Sequence, residues 1–188
     1  NRSLIIRFVY RFGLYNRLEA DYQGSNLVSS SFVSHMNISD LIFQRLTRGQ
    51  VSALQLLGRA SESIGVRAFL VGGTVRDLIL DRSVTDLDVS VECHPQELMA
   101  SGYINTAILE KISLFGTAKM TLSDNPIDVA MARAESYPSP GALPKVTRAR
   151  IEEDLARRDF TINALASSIT PSAWGEVLDL HGGLEDID

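Results

Sequence analysis

Residues 68–92, AFLVGGTVRDLILDRSVTDLDVSVE, hold the pattern on which the fold turns. Ala68-Phe69-Leu70-Val71 is a short, continuous apolar run bounded by glycine, the pattern of a buried strand. Gly72-Gly73 ends it, and two glycines at a strand end let a backbone approach a ligand closely. Residues 74–80 read as a helix, whose first N–H groups and positive dipole end face that turn. Residues 85–92 alternate and read as a second strand. On it Leu87, Val89 and Val91 share one face, and Asp86 and Asp88 share the other.

The flanking chain extends this unit. Upstream, Ser39 is placed to cap a short helix, and 50–64 carries Val51, Leu54, Leu57 and Ala60 on one stripe with Gly65 as its stop. Downstream, 95–100 predicts a short helix. Residues 117–122 and 127–132 predict a hairpin turned at Asp124-Asn125-Pro126. Residues 136–150 carry three prolines and a glycine and read as a loop. Residues 151–158 read as a helix with acids at its start, which suits the helix dipole, and 177–180 as a last strand. The mixture predicts an α+β (α/β-like) fold: a small mixed β-sheet with helices on one face.

Composition narrows the class. With 188 residues, 45% hydrophobic and 22% charged, the chain is of ordinary globular make-up and suits one medium domain. No run of eighteen apolar residues occurs, so no membrane partner is expected. A single cysteine, Cys93, excludes an internal disulfide and a cysteine-based zinc site, and a cytoplasmic setting is the expectation. The net charge of −5 argues against holding nucleic acid by bulk positive charge, though not against a local basic strip or a metal ion.

Residues 1–35 stand apart, with Arg2, Arg7, Arg11 and Arg17 against Glu19 and Asp21, and six serines. They are read as an N-terminal extension, non-native or disordered, ahead of the alternative of a transit peptide. The expected organisation is that extension, a helical lead-in over 36–64, and a main domain over 65–188. The start at Asn1 and the stop at Asp188 suggest a fragment of something longer.

Three clusters carry chemistry. In the first, Arg76 follows Gly72-Gly73 on the first turn of the helix, where a guanidinium grips phosphate; alone, the motif is a tight turn with a surface arginine. In the second, Asp86 and Asp88 repel each other, and a divalent cation with a taste for hard oxygen, such as Mg²⁺, relieves that cost. Asp128, between Ile127 and Val129, is an acid amid apolar residues, and three carboxylates on neighbouring strands can serve metal-assisted in-line displacement. Taken alone, Asp128 equally suits the wet face of a hairpin. In the third, Arg157, Arg158, Asp159 and Asn163 put two guanidiniums, an acid and an amide within seven residues, fit for phosphate and sugar hydroxyls.

In this order the three motifs, GGTVRD at 72–77, DLD at 86–88 and RRDFTIN at 157–163, resemble the head domain of the class II tRNA nucleotidyltransferase and bacterial poly(A) polymerase family. The resemblance spans roughly 65–188. Ile127-Asp128-Val129 followed by Arg133, Glu135 and Tyr137 is similar to the family's third-carboxylate strand. Asp179, Gly182, Gly183 and Asp186 are similar to its head-to-neck junction. The resemblance implies a small nucleotidyltransferase sheet with flanking helices. It implies Asp86 and Asp88 as metal ligands, and Asp128 as the group that helps activate an RNA 3′-hydroxyl. Gly72, Gly73 and Arg76 would hold the triphosphate; Arg157, Arg158, Asp159 and Asn163 would hold nucleotide and ribose. The stretch 144–150 would match a mobile loop that helps position the nucleotide. Asp81 departs from the family, which usually has glycine there; aspartate tolerates a left-handed backbone.

The expected activity is therefore metal-dependent, template-independent transfer of nucleotides from CTP or ATP to the 3′ end of RNA, with tRNA CCA, CC or A addition ahead of poly(A) synthesis. A nucleotide- or RNA-binding module without catalysis is the alternative, and the intact Asp86/Asp88 pair speaks against it. A small nucleotidyltransferase acting on a protein or an antibiotic is disfavoured by the 157–163 motif.

Overall fold

The computed structural model describes residues 36–113, 115–136, 139, 141 and 143–187; the expectations for 1–35 and for Tyr137 lie outside them. Two helices lead in, α1 (Ser39–Arg45) and α2 (Arg48–Ser63). A capping box starts α2: Thr47 accepts from the Gln50 N–H, and the Gln50 side chain accepts from the Thr47 N–H. The helix therefore begins two residues before the expected 50. Then follow β1 (Ala68–Val71), α3 (Gly73–Ile79), β2 (Leu87–Val91), α4 (Pro95–Met99), β3 (Ile108–Ile112), β4 (Thr117–Leu122) and β5 (Asn125–Met131). The chain continues through β6 (Arg133–Ser136), β7 (Lys145–Arg148), α5 (Ile151–Ala156), a 3₁₀ turn (Thr161–Asn163), β8 (Leu165–Ser168), β9 (Val177–Asp179) and α6 (Gly183–Ile187).

Seven strands form one sheet in the order β3-β4-β5-β2-β1-β8-β9, and β6 pairs with β7 alone. Only β2 and β5 run parallel among the described pairs. Four strands go beyond expectation: β3, β6, β7 and β8. The stretch expected as loop, 136–150, holds β7, which hydrogen-bonds back onto β6. The hairpin between β4 and β5 turns one residue earlier than expected, at Ser123-Asp124, both with positive φ (51° and 61°).

The main core lies between the sheet and α1–α4. Ile42 of α1, Leu54 and Leu57 of α2, and Val75 and Leu78 of α3 meet Leu70, Leu87, Val89, Ile127 and Val129 there. The lead-in helices thus share one core with the sheet. Helix α2 sits so close to the strand layer that a Cβ on Gly58 would lie 1.9 Å from the Ile169 carbonyl oxygen. The expected one-sided layer of helices holds for α1–α4. Helix α5 is the exception: Ile151 and Leu155 cover Phe69, Val71 and Ala166. These are the alternate residues of β1 and β8, so they point away from the main core. Arg67 ties that helix down, bridging Glu92 at 2.5 Å and Glu152 at 2.9 Å and lying 5.3 Å over the Phe69 ring. Beyond α5 the second face of the sheet carries Asp88, Asp128 and Lys119. No helix among the described residues is long and apolar enough to cross a membrane.

Candidate active site

Gly72 begins the site because its backbone has a conformation that side chains resist, φ 63° and ψ −128°. A Cβ there would also stand 2.8 Å from Arg158 Nη1. Both constraints bring the glycine turn against the arginine of a distant motif. Thr74, on the first turn of α3, ties the turn to the second strand. Its hydroxyl donates to the Asp86 carbonyl at 3.1 Å and accepts from the Asp88 N–H at 3.1 Å. The Thr74 side chain belongs to the first motif and had no role in the sequence-based expectations.

Arg76 is held on both sides. It donates to Asp77 at 2.9 and 3.1 Å and to the Asn163 side-chain oxygen at 2.6 Å. Arg158 donates to the Asn163 carbonyl and, from Nη2, to Asp154 at 3.2 Å. Its Nε is buried with no hydrogen-bond partner among the described residues. Arg157 donates to Asp154 at 2.7 Å and reaches Glu135. Asp154 thus organises both arginines, although from the sequence it is one of several acids at a helix start. The turn carrying Asn163 is itself pinned to the end of the chain. Thr161 donates to Asp186, and Asp179 accepts from the N–H groups of His181, Gly183 and Leu184.

The charges of all three carboxylates meet at Asp88. Strand β2 begins at Leu87, so Asp86 stands just before it, exposed, with its carboxylate accepting from Thr85. The close partner of Asp88 is Asp128, its register neighbour across the parallel β2–β5 pair. Burial pushes the Asp88 carboxyl above its ordinary value; the charges of Asp128 and then Asp86 push it further, while Arg158 and Lys119 oppose the rise. Lys119, opposite Asp128 on β4, pairs with it at 3.3 Å. Among the described residues no group of three or more His, Cys, Asp and Glu side chains is gathered for a metal ion. Asp88 and Asp128 nevertheless make a fitting donor set for Mg²⁺, a hard cation held by one or two carboxylates plus water and substrate phosphates.

Gly72, Gly73, Arg76, Asp88, Asp128, Arg158 and Asn163 line one cleft of ≈ 620 Å³. Lys111 and Lys119 line it as well. A second cleft of ≈ 610 Å³, bordered by Glu135, Arg157, Asp159 and Phe160, shares Arg158 and Asn163 with the first. Carboxylates and guanidiniums thus face each other across one opening, an arrangement for an anion that arrives with a cation. Asp81, where glycine was the expected residue, takes φ 59° and pairs with Arg45 at 2.5 Å. Cys93 is buried and free, away from the cleft.

Residues 68–188 match the family described as the Poly A polymerase head domain. The A-adding tRNA nucleotidyltransferase of Aquifex aeolicus is 42% identical over 123 residues, 65% of this chain and 15% of the relative. The A-adding tRNA nucleotidyltransferase of Halalkalibacterium halodurans is 37% identical over 155 residues, 80% of this chain and 36% of the relative. Among solved structures, a CCA-adding enzyme in apo form II aligns at TM-score 0.73 and 34% identity, over 81% of this chain and 36% of that one. The Thermotoga maritima CCA-adding enzyme complexed with tRNA aligns at TM-score 0.66 and 31% identity, over 81% and 34%. The chain therefore spans about a third or less of the length of the proteins it resembles.

Proposed function

Since this chain belongs to the Poly A polymerase head domain family, whose nucleotidyl transfer is metal-dependent, we propose that it is a catalytic head that adds nucleotides from ATP and CTP to the 3′ end of tRNA. The observation that carries this reading is the Asp88–Asp128 pair, registered across β2 and β5 and facing Gly72, Arg76 and Arg158 over one cleft. The names of relatives that add A or CCA, and a neighbour solved with tRNA, support the choice of nucleotides and acceptor.

In the proposed reaction the RNA 3′-oxygen attacks the α-phosphorus of the nucleoside triphosphate, and pyrophosphate leaves in line. Arg76 and the N–H groups at the start of α3 hold the triphosphate, with Gly72 and Gly73 allowing close approach. Arg158 adds positive charge where negative charge grows on the phosphoryl oxygens. Asn163 and Asp159 hold the ribose hydroxyls, and Arg157, tied to Asp154 and Glu135, borders the same cleft and adds positive charge for the nucleotide. Asp128 orients the RNA 3′-hydroxyl and draws on its proton. Mg²⁺, held by Asp88 with Asp86 or Asp128, supplies Lewis-acid stabilisation of the phosphoryl oxygens when bound. The bonds made and broken are the new 3′-O–P bond and the old P–O bond to pyrophosphate.

Label transfer from ATP and from CTP to tRNA transcripts that end before CCA, after C and after CC tests the reading in the full-length protein. Asp88→Ala and Asp128→Ala should each slow transfer at least 10³-fold, about 4 kcal/mol of barrier, with the fold retained by circular dichroism. Transfer within tenfold of wild type in either variant overturns it.

A further inference from the structure

Four residues on four neighbouring strands lie in one transverse row. Asp88 of β2 is registered on Asp128 of β5, Asp128 on Lys119 of β4, and Lys119 on Lys111 of β3. With strands about 4.8 Å apart, the row crosses roughly 14 Å of sheet, acidic at one end and basic at the other. The chain has only three lysines, and two of them are these cross-strand neighbours. Like charges directly opposite each other weaken an antiparallel pair. Lys119 is offset by Asp128, but among the described residues Lys111 has no ion-pair partner. The acidic chain thus sets two lysines on the wall of its catalytic cleft, one of them without an ion-pair partner among the described residues.

The turn at the end of the same strands carries an exposed aromatic ring. Phe115 is 55% exposed, and the residues on either side of it are hydrogen-bonded to one another. The Ser113 hydroxyl accepts from the Phe115 and Thr117 N–H groups and lies 2.7 Å from the Thr117 hydroxyl. Gly116, at φ 75°, lies so close to Met131 of β5 that a Cβ on it would stand 2.9 Å from that side chain. An aromatic face held in water beside paired cations is the chemistry of single-stranded nucleic acid binding, in which bases stack and phosphates pair.

Resting on the function proposed above, we infer that the β3–β4 hairpin is the landing surface for the acceptor RNA. Its lysines Lys111 and Lys119 take backbone phosphates just upstream of the reacting 3′-hydroxyl, and Phe115 stacks a base. The continuity of the row supplies the direction: the strand end meets Asp128, and the chain behind it runs outward over Lys119 and Lys111. Glu110, the extra residue of the bulge in β3, is turned to Thr121 and accepts its hydroxyl at 3.0 Å.

The test is fluorescence anisotropy of the 188-residue chain with a labelled RNA dodecamer ending in a free 3′-hydroxyl, at several salt concentrations, beside a calorimetric titration with Mg-ATP. Lys111→Ala/Lys119→Ala should weaken RNA binding at 50 mM salt and reduce the slope of log affinity against log salt by about 1.4, the loss of two single-strand phosphate contacts. Phe115→Ala should weaken RNA binding about tenfold and leave that slope unchanged. Mg-ATP affinity should fall less than RNA affinity in both variants. An unchanged salt slope in the lysine variant, or no RNA binding by the unaltered chain at 50 mM salt, overturns the inference. So does a larger loss of Mg-ATP than of RNA affinity, which would assign the lysines to the triphosphate. A wild-type chain that binds RNA but not Mg-ATP would instead sink the proposed function and leave the hairpin assignment standing.

Discussion

Asp88 and Asp128 occupy matched positions in adjacent parallel strands, so two carboxylates share one face of the sheet with no residue between them. The arrangement opposes folding. Burial first, then the Asp128 and Asp86 charges, raise the Asp88 carboxyl above its ordinary value. For an acid, a raised value in the folded state means that the folded chain keeps a proton the unfolded chain has released. Stability is then lost as pH rises from the unfolded value through the folded one.

Asp88→Asn removes that cost. In a chelator at pH 7 the variant should melt roughly 1–3 °C above the unaltered chain, the scale expected of a sub-kcal/mol gain in a domain of this size. At pH 3, where Asp88 is protonated in both folded and unfolded chains, the advantage should vanish. Calorimetric melts at the two pH values decide it. An equal or lower melting temperature at pH 7 would show that Asp88 is compensated in some other way. The gain in stability would accompany the loss of transfer, the expected relation at a site built from like charges.

Asp154 should be the most sensitive acid outside the carboxylate pair. It is 2% exposed and accepts from Arg157, Arg158 and the Arg133 N–H. Asp154→Asn keeps the shape but takes from Arg158 its carboxylate partner and leaves Arg157 with Glu135. Denaturant unfolding should show a loss of about 2–4 kcal/mol. ATP affinity should fall about tenfold, because Arg158 is no longer held over the cleft. Unchanged stability would mean that Glu135 and solvent suffice to hold both arginines.

Cys93 should be inert in the folded chain. Burial pushes its thiol up to about 12, with Glu97 adding to the rise and Arg148 opposing it. Relative to an exposed cysteine, the thiolate fraction at pH 8 falls by about three powers of ten. Iodoacetamide should therefore leave the native chain unmodified over hours and label it promptly in guanidinium, as read by mass spectrometry. Rapid labelling of the native chain would show that the segment opens easily.

Much of the scaffold can be read locally. β1 is a short apolar run before glycines, and β4 alternates over the expected 117–122. The strands that escape notice lack those signals. β8 is Leu-Ala-Ser-Ser, buried throughout because α5 and the main core cover its two faces, so its pattern neither alternates nor looks apolar. β3 carries a bulge between Leu109 and Lys111, which breaks its alternation. β7 lies in a stretch marked by prolines and exists through pairing with β6. Within the site, Gly72, Arg76, Asp88, Asp128, Arg158 and Asn163 are legible as chemistry, and one cleft unites them. Their register is not. Asp86 stands just before the first residue of β2, and Asp128 faces Asp88 only through a long-range parallel pairing. The lysines on β3 and β4 look like ordinary wet-face residues until the ladder aligns them with the acids.

The parallel β2–β5 pair also sets the order in which the site can assemble. A parallel ladder cannot close through a tight turn, and here α4, β3 and β4 intervene between the two strands. The β4–β5 hairpin, closed by the Ser123-Asp124 turn, has the far smaller loop entropy and is the local unit. It delivers Asp128 with Lys119 already registered beside it. Asp88 on β2 therefore faces a carboxylate that carries its own counter-ion, and the repulsion between the two acids is partly screened. The lysine that faces the acid in the finished sheet thereby eases the sheet's formation.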